Sequence, residues 1–163
     1  LANLEVRLKT RESLTRKIAA MAEEMNLSHE QAAAEINDAL RYTVTFERDE
    51  FVERVLAIQA SLEREGWVQW DTTWRNYFAP GDAYDGYNTV MANAEGQRFE
   101  LQFHTPQTAS IKEDAHVLYD EWRRLPATNS DRRADLWGQM TAMWPAETRP
   151  PGWERLPGIV MGA

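Results

Sequence analysis

The sequence predicts an α+β fold: a mixed, mostly antiparallel sheet of about four to five strands flanked by helices. Three observations predict it. Phe99-Glu100-Leu101-Gln102-Phe103-His104-Thr105 alternates apolar and polar residues strictly, the period-two signature of a half-buried strand. Asn93-Ala94-Glu95-Gly96, just before it, reads as a hairpin turn and gives that strand an antiparallel neighbour. Apolar residues at helical spacing occupy both ends of the chain. With 163 residues, 43% of them hydrophobic and 27% charged, the chain is expected to fold as one globular domain.

In chain order, residues 6–26 read as a helix, with Leu14, Ile18, Met21 and Met25 as one apolar stripe. Ser28 with Gln31 three residues on is a capping box for a short helix over about 29–36. From Asp38 to Phe46 the chain turns to β-branched and aromatic residues, a strand with Asp38 at its mouth. Asp49 is expected to cap a helix over about 50–65, with Phe51, Val55, Ile58 and Leu62 inward and Gly66 at its end. Trp67 to Trp74 alternates as a second strand, with Val68, Trp70, Thr72 and Trp74 on one side and the tryptophans in the core. A loop over 75–86 leads to a third strand, Tyr87 to Asn93, and then to the strand at Phe99, after which Pro106 stops pairing. Helices follow over about 107–124, striped by Ile111, Ala115, Leu118 and Trp122, and over about 131–143. Residues 1–143 are thus expected to form one domain, the catalytic one if the chain is an enzyme, and 144–163 a Pro/Gly/Trp-rich strap anchored by Trp144 and Trp153.

Composition narrows the function classes. The chain has no cysteine, which removes disulfides and thiolate chemistry. His29, His104 and His116 show no close metal-ligand spacing. A net charge of −8 argues against broad nucleic-acid binding. No apolar run approaches the roughly 18 residues of a membrane helix. The start at Leu1 suggests excision from something longer.

Within this acidic chain the cations are uneven. Lys9, Ser13, Arg16 and Lys17 are spaced by four, three and one, so a helix over 6–26 gathers them on a second face that suits phosphates. Asp38 and Glu100, on strands of one sheet, are a pair of hard carboxylates suited to Mg²⁺ on a nucleotide polyphosphate. Cations opposite metal-binding carboxylates are the general kit for phosphoryl transfer, and a carboxylate near the metal can take a proton from an attacking hydroxyl.

These segments resemble the synthetase domain of RelA/SpoT homologues, the alarmone synthetases, which have a nucleotidyltransferase-like fold. Arg7-Leu8-Lys9-Thr10-Arg11-Glu12-Ser13-Leu14-Thr15-Arg16-Lys17 is similar to the family's R-x-K-x-x-x-S-x-x-R-K helix. Asp38 is placed like the aspartate opening its D-x-x-G-x-R strand. Gly86-Tyr87-Asn88 resembles its G-Y-x-S segment, and Arg75-Asn76-Tyr77 the basic-x-Tyr start of the loop before it. Glu100-Leu101-Gln102-Phe103-His104-Thr105 is similar to E-[IVL]-Q-[IVL]-[RH]-T, and His116 lies in a helix like the one that follows there. The resemblance covers about residues 6–120 and implies transfer of pyrophosphate from ATP to the 3′-hydroxyl of a purine nucleotide. It implies that Arg7, Lys9, Ser13, Arg16 and Lys17, with Arg41, bind ATP, and that Asp38 with Glu100 holds Mg²⁺. Glu100 would be the catalytic base supported by Gln102, and Arg75, Tyr87, Asn88 and His104 would bind the acceptor, with Tyr87 stacking on its base.

The departures fall in the acceptor half. Thr43 stands where the strand's arginine is expected, and Arg41 shares its face two residues earlier. Asp82, Tyr84 and Asp85 replace the lysines usual before Gly-Tyr. An adenosine acceptor is therefore as open as a guanosine one, with (p)ppApp and (p)ppGpp as the corresponding products. A synthetase domain without hydrolase or regulatory domains resembles the toxin members, including secreted effectors that act in the bacterial cytoplasm and are neutralised by an immunity protein. Two other readings are a non-catalytic nucleotide-binding module and an ADP-ribosyltransferase toxin, the latter from Glu100-x-Gln102.

Overall fold

The computed structural model describes Leu4, residues 7–70 and residues 74–160. Among them the elements run α1 (Arg11–Met25), α2 (His29–Ala34), β1 (Arg41–Thr45), α3 (Phe51–Arg64), β2 (Val68–Gln69), β3 (Arg75–Asn76), β4 (Tyr87–Ala92), β5 (Arg98–His104), α4 (Pro106–Arg124), α5 (Ser130–Ala142) and β6 (Ile159–Val160). The strands build one open, mixed sheet in the order β1-β5-β4-β3-β6, with β2 also pairing β4. The β1–β5 and β3–β6 pairs are parallel, and β4 is antiparallel to β2, β3 and β5. This is the predicted α+β architecture.

One face of the sheet makes the core. Phe99, Leu101 and Phe103 of β5, Tyr87 and Met91 of β4 and Val44 of β1 pack with Phe51, Val52 and Val55 of α3. Burying a side chain of this size stabilises by about 1.5–3 kcal/mol. Slipping β5 by one residue would exchange three of them for Glu100, Gln102 and His104, so burial fixes the register. That register sets Arg41 opposite Glu100 and Thr43 opposite Gln102 across to β1, and Asn88 opposite Gln102 across to β4. The second face of the sheet therefore carries the polar residues in rows.

The structure revises several element boundaries. The first helix begins at Arg11, capped by Thr10, whose side chain accepts from the Ser13 N–H. Residues 8–10 are extended instead: Leu8 bridges Leu40, and the Lys9 N–H donates to the Ala39 carbonyl at 3.0 Å. Lys9 is thus placed by a strand-like contact, not by a helix face. Helix α3 has Glu50 at its N-cap position and no side-chain cap, so Asp49 does not cap it; the packing of Phe51, Val52 and Val55 holds its start. Of the strand expected over Trp67–Trp74, the described residues show β2 alone; a second short strand, β3, begins just after it at Arg75, and both pair with β4. Val68 and Trp70 face outward at 60% and 47% exposure. Trp70 finds its cover under the Arg98 guanidinium, 4.4 Å from the ring centre. Trp122, expected in the core, is half-buried under Arg133. Thr72 of the expected alternation lies outside the described residues. Pro106 ends the strand by opening α4 at its first turn, where a missing N–H costs nothing.

The C-terminal segment lies against the sheet. The Tyr87 hydroxyl donates to the Pro157 carbonyl at 2.8 Å, and Asn76 Nδ2 to the Trp153 carbonyl at 3.1 Å. Leu156 joins the core, and β6 continues the sheet beside β3.

Candidate active site

A cleft of about 810 Å³ opens over the polar face of the sheet. Three parts of the chain wall it: Lys9, just before α1, with Ser13, Arg16 and Lys17 of α1; Lys112, Ala115 and Tyr119 from α4; and Tyr77, Asp82 and Tyr84 from the loop after β3. Asp38, Arg41, Asn88 and Gln102 belong to its floor.

The floor is a continuous hydrogen-bonded chain. Asp38 receives Lys9 Nζ at 2.9 Å, Lys17 Nζ at 2.7 Å and Arg41 Nη2 at 3.2 Å. Arg41 Nε donates to Glu100 Oε2. Gln102 Nε2 donates to Glu100 Oε1 at 2.8 Å, and Lys112 Nζ donates to Gln102 Oε1. Burial alone would raise the Asp38 pKa, but the two lysines outweigh it and hold the carboxyl below the usual range. Burial would lower the Arg41 pKa, and Glu100 and Asp38 reverse that, so the guanidinium stays charged. Lys112 is pushed down to about 8 by burial and by the charge of Arg41.

A second chain of hydrogen bonds fixes the acceptor-side loop. His104, fully buried, contacts Thr108 Oγ1 through Nδ1 at 3.2 Å and the Tyr84 hydroxyl through Nε2 at 2.8 Å. The Tyr84 hydroxyl donates to Asn88 Oδ1 at 3.1 Å. In one proton arrangement Thr108 donates to Nδ1 in place of the Thr105 carbonyl, Nε2–H donates to Tyr84, and Tyr84 donates to Asn88. It uses neutral imidazole, and burial with the Lys112 charge lowers the His104 pKa to about 3. Gly86 makes room for this arrangement, since a Cβ there would lie 2.6 Å from the Tyr84 hydroxyl oxygen. Asp85, wholly buried, ties the same loop to Arg149 at 2.9 Å.

The structure gathers Lys9, Ser13, Arg16, Lys17, Asp38, Arg41, Asn88 and Gln102 around one cleft. Glu100 does not line it; the half-buried carboxylate is bonded to Arg41 and Gln102, which do. Arg7 is exposed, and its guanidinium donates to the Leu4 carbonyl. Arg75 sits opposite Asn88, in the row of polar residues, and interacts with Tyr77. His104 is buried behind Tyr84 and meets the cleft through it. Tyr87 is the correction. It was expected to stack on an acceptor base, but it is wholly buried, with its ring stacked on Trp74 at 5.1 Å and its hydroxyl bound by Gln59 and Pro157. Strand parity is the reason: Tyr87 stands opposite Phe103 and so faces the core. The tyrosines that line the cleft are Tyr77, Tyr84 and Tyr119.

One residue of this site carries no motif: Lys112, whose signal was the spacing of Thr108, Lys112, Ala115 and Tyr119 at i, i+4, i+7 and i+11, a second stripe on α4 beside the apolar one. Tyr119 belongs with Ala115 and His116 to the helix that resembles the family's A-H-x-x-Y segment.

The donor chemistry fits a magnesium ion. Asp38 and Glu100 are the two carboxylates that would hold such an ion, and phosphate and water would supply its other ligands. Asp38 is kept ionised, and Arg41 bridges it to Glu100, meeting the charge that such an ion would meet.

No protein-family model matches the sequence, and no curated protein matches it in sequence. Solved structures match in fold. The Type VI effector Tas1, in complex with its immunity protein, superposes with a TM-score of 0.52 at 20% identity over 85% of this chain and 77% of that one. The small alarmone synthetase 1 of Bacillus subtilis, bound to its product pppGpp, superposes with a TM-score of 0.57 at 16% identity over 84% and 70%. A GTP pyrophosphokinase family protein of Streptococcus pneumoniae gives 0.56 at 17% identity over 86% and 70%. This is the alarmone synthetase fold. Within the synthetase fold the cleft of this chain lies on the polar face of the sheet, between α1, α4 and the loop after β3. Among the described residues no helix is long and apolar enough to cross a membrane.

Proposed function

We propose that this chain transfers the pyrophosphoryl group of ATP to the 3′-hydroxyl of a purine nucleotide, making (p)ppApp or (p)ppGpp. The observation that carries the reading is the Glu100 carboxylate held between Arg41 and Gln102, in a floor whose neighbouring wall presents Lys9 and Lys17. Lys9, Arg16 and Lys17, with Ser13, hold the triphosphate. Glu100, once Arg41 swings toward the phosphates, takes the proton of the 3′-hydroxyl. The 3′-oxygen forms a bond to the β-phosphorus, the bond from that phosphorus to the α,β-bridging oxygen breaks, and AMP leaves. A magnesium ion held by Asp38 and Glu100 would neutralise charge on the transferred group. Asn88 and Arg75 bind the acceptor, and Tyr77 offers its ring to the base in place of the buried Tyr87.

The effector role is part of the same reading. It is supported by the fold shared with Tas1, which is bound there by its immunity protein. An effector of this kind acts in the bacterial cytoplasm and requires a neutralising partner.

The experiment is incubation with ATP, Mg²⁺ and each of AMP, ADP, ATP, GDP and GTP, with mass analysis of the products. AMP and one 3′-pyrophosphorylated nucleotide are expected, and Glu100→Gln is expected to lower the rate by about 10²–10⁴-fold. No product with any acceptor, or an unaffected Glu100→Gln variant, overturns the reading.

A further inference from the structure

Lys112 belongs to no motif in the chain, yet it ends the hydrogen-bonded series that reaches Glu100. An ammonium group only donates, and an ionised carboxylate only accepts. Gln102 stands between the two, with its carbonyl oxygen toward Lys112 and its amino group toward Glu100. No other orientation of that amide satisfies both neighbours. Turned over, it would set its NH₂ against an ammonium and its carbonyl oxygen against a carboxylate. Lys112 Nζ donates to the Gln102 carbonyl oxygen, and the Glu100 and Glu113 charges attract it.

The two side chains are held on rigid elements. Gln102 is on the central strand β5, 5% exposed. Helix α4 starts two residues after β5 ends, and its start is clamped by the reciprocal Thr105–Thr108 capping box. Lys112 sits one turn beyond Thr108 on the same face. The strand-to-helix corner therefore sets the separation of Lys112 from Gln102.

We propose that Lys112 is the positioning residue of the base: it locks Gln102 in the amide orientation that donates to Glu100. The proposal rests on the reading of Glu100 as the base. Without the lysine the amide keeps Glu100 as its one anchor, so amide and carboxylate move together and the bond that holds Oε1 in place loosens. Misplacing a reacting group by even an ångström costs a rate factor on the order of 10².

The test compares wild type, Lys112→Met and Lys112→Arg by steady-state kinetics and by the Gln102 side-chain amide signals in ¹⁵N-resolved NMR. Lys112→Met is expected to lower kcat by about 10–100-fold with KM for both nucleotides within about 2-fold. Its Gln102 amide protons are expected to lose the downfield separation that donation to a carboxylate gives. Lys112→Arg, also a pure donor, is expected to keep that separation and to restore kcat to within about 3-fold of wild type. A raised KM with unchanged kcat would make Lys112 a substrate ligand and overturn the proposal, as would an unchanged Gln102 signal in Lys112→Met. If wild type makes no product with any acceptor, the proposed activity falls, and the amide signal alone decides for or against the lock.

Discussion

Arg41 and Glu100 stand opposite each other in the parallel register of β1 and β5, and the Arg41 Nε donates to the Glu100 carboxylate. The same guanidinium reaches Asp38 through Nη2 at 3.2 Å. One cation thus bridges the two carboxylates of the proposed metal site, and it does so from the position two residues before Thr43. Parity alone puts residues 41 and 43 on one face, so an arginine moved by two residues stays over the same floor.

That bridge predicts a metal-dependent stability. Removing it in Arg41→Met leaves Asp38 and Glu100 facing without the guanidinium between them. The side chain is partly exposed, so the expected cost in metal-free buffer is about 1–2 kcal/mol. Millimolar Mg²⁺ is expected to return part of this loss in Arg41→Met and to raise the wild-type melting temperature by less. Thermal unfolding with EDTA and with Mg²⁺ reads both. An Arg41→Met protein indifferent to Mg²⁺ would mean that the two carboxylates do not share an ion.

His104 predicts a pH dependence of the opposite kind to a surface histidine. Burial lowers its pKa to about 3, whereas the unfolded chain takes up the proton near 6.5. The unfolded state then binds more protons below 6.5, so stability is lost as pH falls. Between pH 6.5 and pH 5 the contribution amounts to roughly 2 kcal/mol. Urea unfolding of wild type and His104→Asn at pH 5, 6 and 7 measures it. The gap between them is expected to narrow toward pH 5, and a constant gap would mean that His104 accepts a proton in the fold.

How much of this was legible depends on whether the determinant is local. The core face of the strand at Phe99–Thr105 was legible, because a strict alternation with Phe99, Leu101 and Phe103 in the core admits one register; the burial of Gln102 and His104 on its other face was not, since it comes from α4 and the loop after β3. The Ser28–Gln31 capping box was legible for the same reason, as both partners lie within one turn. The start of α1 was not. A helical stripe says nothing about where the helix begins, and residues 7–9 are held by the distant Leu40 and Ala39. The cluster of Lys9 and Lys17 on Asp38 still formed, since the bridge brings Lys9 to the same carboxylate that Lys17 reaches from α1. Tyr87 faces the core by strand parity, whatever motif it sits in. Its alternation with Thr89 and Met91, opposite Phe103, Leu101 and Phe99, already assigned it to the core face. Lys112 went unseen because it acts across the corner between β5 and α4, a contact that no repeat in the sequence marks.

Asp85 predicts a pH effect of opposite sign to that of His104. Its carboxyl is wholly buried, and Oδ1 accepts no hydrogen bond among the described residues. Burial raises its pKa to about 6 despite Arg149. The folded state therefore binds more protons than the unfolded one between 3.8 and about 6, and stability contributed by the protonated form is lost as pH rises through that window. The rise from 3.8 to about 6 corresponds to roughly 3 kcal/mol. Relative to Asp85→Asn, wild type is expected to be most stable near pH 4 and to lose ground toward pH 6.5. Chemical unfolding at pH 4, 5 and 6.5 tests this. A difference that grows with pH would show instead that Arg149 keeps the carboxylate ionised.

Gly158 predicts how strongly the C-terminal segment is tied to the sheet. Its φ of +114° is open to glycine and strained for any L side chain, and a Cβ there would lie 2.1 Å from the Trp74 carbonyl oxygen. Trp74 cannot withdraw, because its ring is stacked on Tyr87 inside the core. The clash must therefore be relieved by moving residues 157–160, which carry the Pro157 carbonyl bound by Tyr87 and the strand β6. Gly158→Ala is expected to destabilise by about 2–4 kcal/mol. In a chain of this size that lowers the melting temperature by roughly 5–15 °C. Gly152, where a Cβ would come no nearer than 3.5 Å to the flexible Arg155 side chain, provides the comparison: its positive φ of 73° carries the strain of a left-handed residue without a backbone clash. Gly152→Ala is therefore expected to cost about 1 kcal/mol. Equal effects at the two positions would show that the segment after Arg155 adds little to the fold, despite its strand pairing with β3.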